Sequence, residues 1–389
     1  MKGVRAGAMF DGVKDTLHRD VVVWVDDEGR IAEVSVGDSA SHAGIEHDLG
    51  ERTLLPGLIN AHDHLQIDAT PERLEKLNAA SDVENALRMA GRAHQALWAG
   101  VTTFRECGAK HRLDIAVRDA IAEGALPGPR ILACGLPLTS VGGHLDWMGR
   151  EVEGAADMHD AVIEQVHAGA DHIKLCASGG MLEATSDIYA VQFSDEELAV
   201  ARAEAHAHGR RIGAHAHNAD SIRAVVKAGF DTVEHCLWIN RGGRVDVDDT
   251  VVEHMASEGI AVVPTIATGF PKGGARPHWV AAVGPLDERL AVLRHMHERG
   301  VPLLAGTDDG RYSEFVYELE LMRSIGLSAF EVLRSATSLS GEYLRLEEGL
   351  GSIRAGAPAD LIAVTGNPLD DVSALWSVTA VFTAGRRVR

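Results

Sequence analysis

Cysteine is scarce in this chain, and the few cysteines form no recognisable zinc or disulfide pattern. The four residues, Cys107, Cys134, Cys176 and Cys236, are widely spaced and include no C-x-x-C pair. A thiolate zinc cluster needs closely spaced pairs, and a disulfide framework is typical of short, cysteine-rich secreted chains. Neither is indicated, and we expect a reduced, cytoplasmic setting.

Positive charge is also scarce. Lys and Arg number 37 against 57 Asp and Glu, which gives a formal net charge of −20. Nucleic-acid binding needs a basic surface, so a nucleic-acid partner is not expected. The sequence shows no signal peptide at Met1 and no apolar run of transmembrane length, so a membrane partner is not expected either. The expected partner is a small-molecule substrate.

Nucleotide-binding motifs are missing as well, while short apolar runs alternate with amphipathic stretches. No G-x-G-x-x-G or G-x-x-x-x-G-K-[ST] sequence opens a helix. Ser194 and Glu197 form a capping-box pattern, and Ile222, Val225, Val226 and Phe230 share the spacing of one helical face. The predicted strand cores are 54–59, 101–106, 130–134, 171–176, 211–216, 231–235, 260–264 and 302–307.

Eight strand-then-helix units predict an α/β fold, a (β/α)₈ TIM-like barrel, over residues 54–344. Both ends of the chain are instead rich in short β segments, at 21–25 and 31–34 and again at 360–364 and 380–382. We therefore predict a small β-sandwich domain formed by both termini, residues 1–53 and 345–389.

The first barrel strand ends in an H-x-H motif. His62 and His64 follow an apolar run that starts at Leu55. Residues two apart in a strand point to the same side, so both imidazoles would face one point, and imidazole is a common zinc ligand. An isolated H-x-H is more often a pair of polar loop residues, so other ligands are needed to support a metal site.

Other strand ends supply such ligands. Each has an ordinary explanation alone: an ion pair for Lys174, a core hydrogen bond for His235, a helix cap for Asp308. Five coincidences at the active face of one barrel favour a metal site instead. The chemistry-bearing residues at the later strand ends are Lys174, His215, His217, His235 and Asp308.

These motifs resemble the amidohydrolase superfamily over nearly the whole chain. Residues 56–64, Pro-Gly-Leu-Ile-Asn-Ala-His-Asp-His, look like its opening motif, and residues 351–361 look like its closing β segment. Residues 173–180 and 141–144 are similar to the metal-dependent Xaa-Pro dipeptidase-like and imidazolonepropionase-like branch. That branch includes hydrolases of aryl ureas, carbamates and amide toxins.

The resemblance implies two divalent metal ions, usually zinc. His62, His64 and Asp308 would bind one ion and His215 and His235 the other. Lys174 would bridge both as an N-carboxylated lysine. An ammonium group cannot ligate a cation, whereas a carbamate formed with CO₂ offers two anionic oxygens.

The implied activity is hydrolysis of an amide-type C–N bond, in a dipeptide, an N-acyl amino acid, or a related urea or carbamate, by a metal-bridging hydroxide. Asp308 would transfer the proton, and His144 would donate a hydrogen bond to the carbonyl oxygen. His144 and His217 are the expected substrate contacts, although several dipeptidase relatives have Tyr at the latter position. Asp309 is expected to cap the following turn or support a ligand, and relatives are commonly homo-oligomers.

Two alternatives remain open. The first is a deaminase of a cyclic amidine such as a nucleobase or triazine. Mononuclear deaminases of the superfamily usually have Glu three residues after the fifth-strand His and lack the bridging lysine, whereas this chain has Asn218 and Lys174. The second is a catalytically inactive barrel scaffold, which characteristically loses ligands that this chain retains.

Overall fold

The computed structural model combines one large terminal sheet with parallel strands and surrounding helices. Its core is continuous from the helices through the parallel strands to one face of the terminal sheet. Among the described helices, none is both long and apolar enough to cross a membrane. The structure describes residues 1–37, 44–70, 72–182, 186–273, 284–308 and 310–389.

Within the described residues, the terminal sheet has eight strands and contains the four β segments predicted at the chain ends. Its order is β17-β16-β15-β5-β1-β2-β3, and β4 pairs with β1. β5 pairs with β1 and β15, so the barrel's first strand starts only at Leu58 rather than at residue 54. The strands are β1 (Lys2–Phe10), β2 (Leu17–Val25), β3 (Ile31–Val36), β4 (Ile45–Asp48), β5 (Thr53–Pro56), β15 (Leu361–Val364), β16 (Val378–Thr383) and β17 (Arg386–Arg387).

Alternation along β5 and β15 divides the apolar side chains between two cores. Leu54, Leu361 and Ala363 pack within the terminal sheet's own cluster. Their neighbours Leu55 and Ile362 pack against the barrel cluster instead. Because successive strand residues point to opposite faces, one sheet closes its own core and also covers the end of the barrel.

Among the other strands that the structure describes, all pairings are parallel. They form a three-stranded sheet, β6-β7-β8, and a six-stranded sheet, β10-β9-β11-β12-β13-β14. The strands are β6 (Leu58–Asp63), β7 (Val101–Glu106), β8 (Arg130–Leu132), β9 (Leu138–Ser140), β10 (Arg150–Val152), β11 (His172–Cys176), β12 (Arg211–Asn218), β13 (Thr232–Ile239) and β14 (Ala261–Val263).

The strand predicted at 302–307 is wrong in detail, because only Leu303 makes a ladder contact, with Val262. Pro302 has no N–H to donate, and the other backbone groups of the segment bond in several directions. Leu304 N–H donates to Val262 O, and Ala305 O accepts from Ala61 N–H. The segment therefore lies between β14 and β6 and is hydrogen-bonded to both.

The helices confirm the predicted capping box. Ser194 and Glu197 form the predicted capping box, and the same arrangement starts two other helices at Ser81 and Ser328. The helix that buries Ile222 ends at Gly229, which adopts a left-handed conformation that favours glycine. The helices are α1 (Arg73–Ala79), α2 (Asp82–Trp98), α3 (Leu113–Ala122), α4 (Ala155–His167), α5 (Asp195–Ala207), α6 (Ala219–Ala228), α7 (Asp249–Glu258), α8 (Ile266–Gly269), α9 (Leu286–Glu298), α10 (Phe315–Ile325), α11 (Ala329–Ser335) and α12 (Ser338–Tyr343).

A buried acid at the start of α3 predicts a pH-dependent stability. Asp114 Oδ2 accepts the Gly135 N–H at 2.7 Å, and burial raises the pKa of Asp114 to about 7. In the unfolded chain the pKa of an aspartate is about 3.9. At a pH between the two pKa values, the folded chain therefore retains a proton that the unfolded chain releases. The free energy of unfolding should therefore fall as pH rises through this window. We expect Asp114→Asn to flatten that decrease in urea titrations.

Asp119→Asn is the matched control, because Asp119 is an exposed acid of the same helix that pairs with Arg118. It should keep the wild-type pH dependence. An Asp114→Asn variant with the wild-type slope would contradict a proton held at this carboxyl.

Candidate metal centre

The ends of the barrel strands surround one cavity of about 150 Å³. Strand direction explains the convergence, because parallel strands of a barrel all deliver their carboxyl ends to one face. The structure brings all of the predicted site residues to this cavity, and Asp309 lies outside the described residues. The lining includes His62, His64, His144, Lys174, His215, His217, His235 and Asp308.

The H-x-H motif at the end of β6 presents two imidazoles in fixed orientations. His62 Nδ1 lies 2.8 Å from Glu234 Oε2, and His64 Nδ1 lies 3.0 Å from the Gly108 carbonyl oxygen. A carbonyl and an ionised carboxylate only accept hydrogen bonds, so both Nδ1 atoms carry the proton. Each Nε2 is left with its lone pair, and each lies 3.7 Å from Asp308 Oδ1.

The other imidazoles come from β12 and β13. His215 Nε2 donates to the Gly179 carbonyl oxygen at 3.1 Å, which leaves the lone pair on Nδ1. His235 Nδ1 lies 2.8 Å from Thr265 Oγ1. The His215 and His235 ring centroids are 4.6 Å apart, and those of His62 and His235 are 5.1 Å apart. The four rings thus form one continuous cluster.

Burial keeps these imidazoles neutral. It lowers the pKa of His64 to about 3 and the pKa values of His62, His215 and His235 well below the usual range. Nearby Lys174 acts in the same direction on all four. A neutral imidazole is the form that binds a metal ion.

Lys174 and Asp308 complete the cluster. Lys174 is 2% exposed, and its Nζ lies 3.4 Å from His62 Nε2. Asp308 Oδ2 lies 3.9 Å from His235 Nδ1, while its other oxygen faces His62 and His64. The carboxylate therefore lies between the H-x-H pair and His235, which suits a group that contacts both metal and water.

Sequence reasoning missed a buried charged network behind His62. Glu234 Oε1 accepts from Arg105 Nη2 at 2.7 Å and from Thr232 Oγ1 at 2.6 Å, while Oε2 binds His62. Burial alone would raise the pKa of Glu234, but Arg105, Lys174 and the His62 hydrogen bond together hold that pKa well below the usual range. The available signal was an acid and an arginine inside two segments predicted as barrel strands.

A glycine makes room for this network. A Cβ on Gly213 would lie 2.5 Å from Thr232 Oγ1 and 2.7 Å from Glu234 Oε1. Real Cβ atoms do not approach so closely, so β12 needs a residue without a side chain beside the carboxylate.

His144 and His217 extend the imidazole cluster. The His144 ring centroid lies 4.4 Å from that of His215, and the His217 centroid lies 4.2 Å from it. Both residues are buried, and His217 N–H donates to Ser178 Oγ. A Cβ on Gly180 would lie 2.2 Å from His144 Cε1, so glycine at this position is required for the observed placement of the ring.

The donor set fits divalent cations. Ligand atoms of His62, His235 and Asp308 lie within 4.8 Å of one another, and so do those of His215, His217 and His235. His62 and His64 each donate Nδ1–H to a fixed acceptor, an arrangement that orients a metal-binding imidazole. Neutral nitrogen lone pairs with one carboxylate suit zinc and its neighbours better than calcium or magnesium.

Comparison with known proteins agrees with this geometry. A sequence profile of the amidohydrolase family matches residues 53–388. Ochratoxinase of Aspergillus niger is 27% identical over 371 residues, which is 86% of this chain and 75% of that protein. Imidazolonepropionase of Micrococcus luteus is 24% identical over 383 residues, 88% of this chain and 86% of that protein.

Among solved structures, a Xaa-Pro dipeptidase with methionine bound in its active site superposes with a TM-score of 0.89. It is 29% identical, and the match covers 100% of this chain and 99% of the dipeptidase. The predicted fold class and the predicted family resemblance are both confirmed.

Proposed function

Because the chain belongs to the amidohydrolase family, we propose that it hydrolyses an amide-type C–N bond with a hydroxide held between two divalent metal ions. The proposed substrates are dipeptides, N-acyl amino acids, or related ureas and carbamates. The Xaa-Pro dipeptidase supports the first of these substrate classes.

A single observation carries the proposal. Four neutral imidazoles, one lysine and one carboxylate from five separate segments face the same small cavity. They are His62, His64, Lys174, His215, His235 and Asp308. Neutral imidazoles offer nitrogen lone pairs to a cation, and burial keeps all four of these imidazoles neutral.

We assign one zinc ion to His62, His64 and Asp308, and a second to His215 and His235. N-carboxylation of Lys174 would bridge them. When bound, the ions would lower the pKa of a shared water towards about 7 and polarise the substrate carbonyl. The proximity of Lys174 Nζ to His62 Nε2 supports this assignment.

The chain's own residues supply proton transfer and orientation. Asp308 accepts the proton of the attacking water and delivers it to the leaving nitrogen. His144, beside His215 at the cavity wall, donates a hydrogen bond to the carbonyl oxygen as negative charge develops on it. His217 lies on the same wall and contacts the substrate.

Apolar side chains around the cavity suit the flanking groups of an amide. Leu145, Met181, Leu182 and Phe270 share the lining with the polar cluster. An apolar pocket with a few fixed polar groups is the usual form of a small-molecule site.

The deciding experiment combines metal analysis with a substrate panel. We expect about two zinc ions per chain and release of free amine from at least one N-acyl amino acid, Xaa-Pro dipeptide, aryl urea or carbamate. A stoichiometry near one would refute the bridging lysine. Ammonia release from nucleobases or triazines, without amide cleavage, would support the deaminase alternative instead.

Asn218 already disfavours that alternative. Its side chain accepts the Ser221 N–H to cap α6, and its Nδ2 donates to the Ile188 and Ala190 carbonyl oxygens. It therefore has a structural function at the position where deaminases carry an acid. The complete donor set likewise disfavours an inactive scaffold.

Gly180→Ala should impair catalysis through His144. The added methyl group would occupy the space of the His144 ring, so the ring must move away from the carbonyl oxygen. We expect kcat to fall by about 100- to 1,000-fold, the usual cost of losing one oxyanion donor. Steady-state kinetics on the substrate found in the panel would measure the effect.

Gly91→Ala is the control, because a Cβ at this exposed position in α2 meets open space. It should retain wild-type kcat. If Gly180→Ala also keeps wild-type kcat, the proposed function of His144 is wrong.

We also propose the domain division 1–53 and 345–389 against 54–344, a cytoplasmic location and a homo-oligomer. The separate terminal core supports the division, and four buried free thiols suit a reducing compartment.

Val83, Leu87 and Trp98 are exposed on α2 and would suit a subunit contact. Light scattering of the purified protein would test the oligomer.

A further inference from the structure

The backbone around His235 departs from a regular strand. His235 and Cys236 have φ values of 65° and 53°, in the left-handed region that residues other than glycine rarely adopt. In a regular strand, Glu234 and His235 would point to opposite faces. Here Glu234 binds His62 Nδ1, while the His235 ring lies 5.1 Å from the His62 ring. The left-handed turn therefore lets two neighbouring side chains serve one site.

Arg289 on α9 lies directly against this turn. Its Nη1 donates to the Cys236 carbonyl oxygen at 2.8 Å, and its Nη2 donates to the His235 carbonyl oxygen. Nη2 also donates to the Pro264 carbonyl oxygen at 3.0 Å. Pro264 precedes Thr265, whose hydroxyl group binds His235 Nδ1. One guanidinium thus ties the backbone of His235 to the segment that orients its ring.

The environment of Arg289 is unusual for a structural arginine. The residue is 3% exposed and lines the cavity. Throughout the described ranges of the chain, its hydrogen-bond acceptors are backbone carbonyls and no carboxylate forms an ion pair with it. Buried Glu318 acts on the Arg289 charge only from a distance. A buried guanidinium that forms no ion pair is costly, and an apolar side chain could fill the same space. An apolar residue could not donate hydrogen bonds to these carbonyl oxygens, whereas the two Nη groups of the guanidinium do so at once.

We propose that Arg289 is a positioning residue that holds the left-handed His235 turn and Thr265 together, so that the His235 imidazole is presented to the second metal ion. The inference rests on the proposed function, because it assigns His235 to that ion. Its direct consequence is a metal-binding defect confined to one of the two ions.

Cobalt titration of the metal-free full-length chain tests the proposal. Visible absorption should show two equivalents of Co²⁺ binding to the wild type. In Arg289→Met, we expect one equivalent to bind as in the wild type and the other about 10- to 100-fold more weakly, with an altered visible spectrum. Unchanged affinities and an unchanged spectrum in the folded variant would overturn the proposal.

Arg294→Met is the matched control. Arg294 lies on the same helix and also donates to backbone carbonyls, those of Ser324 and Ile325 in α10. Its loss should leave both cobalt steps unchanged, since these carbonyls belong to α10 rather than to the His235 turn. If both variants weaken the same equivalent equally, the effect reflects helix stability and the proposal fails.

Two further measurements cover the remaining outcomes. If Arg289→Met does not fold, Arg289→Lys is tested in its place. Lysine keeps the positive charge but lacks the two divergent N–H groups of the guanidinium. Wild-type cobalt binding by Arg289→Lys would contradict the proposal. If the wild type binds one ion only, the two-ion function is wrong. In that case a crystal structure of the metal-free variant tests the positioning function of Arg289. A His235 φ outside the left-handed region would support it, and an unchanged turn would exclude it.

Discussion

Asp308→Asn is expected to lower kcat by about 100- to 10,000-fold while the protein stays folded. Asp308 is the acid that faces His62, His64 and His235, and its side chain is 25% exposed, so it can reach both the metal site and substrate. Asparagine keeps the shape and one oxygen but cannot accept and return a proton. Steady-state kinetics together with circular dichroism would separate the catalytic loss from misfolding.

Asp246→Asn is a suitable control, because Asp246 is an exposed partner of Arg223 on another part of the surface. It should retain wild-type turnover. If Asp308→Asn binds its full complement of metal and also retains wild-type turnover, proton transfer must be assigned to another group.

Glu234→Gln should produce the largest loss of stability. The side chain is fully buried, and its carboxylate is bonded to both Arg105 and His62. Glutamine would leave the Arg105 guanidinium buried without a counter-charge, which typically costs about 3–5 kcal/mol. It would also weaken the orientation of His62, so we expect about 10- to 100-fold weaker zinc binding. Urea denaturation and competitive zinc titration measure the two effects.

Asp195→Asn is the control, because it breaks an exposed ion pair instead of a buried one. Asp195 and Lys227 are both largely exposed. Its cost should be below about 1 kcal/mol. If both variants lose the same free energy of unfolding, the buried Glu234–Arg105 pair stabilises the fold no more than an exposed ion pair does.

The sequence alone determined the class of fold, and it predicted the candidate ligands. The predicted carbon–nitrogen hydrolase of the amidohydrolase family is confirmed. His62 and His64 were predictable because strand periodicity places residues two apart on one side. The capping box at Ser194 was predictable for a similar reason, since its hydrogen bonds are local in sequence.

Only the tertiary structure decided how these ligands are held. Glu234, Arg105 and Arg289 act on His62 and His235 across long sequence separations, and no local pattern encodes such contacts. The left-handed turn at His235 breaks the alternation on which strand reasoning depends. The segment 302–307 was predicted as a strand because it is a short, mostly apolar run, whereas its backbone hydrogen bonds go to β14, β6 and the end of α11. Local periodicity therefore fixed which side chains could meet, and long-range hydrogen bonding fixed their orientation.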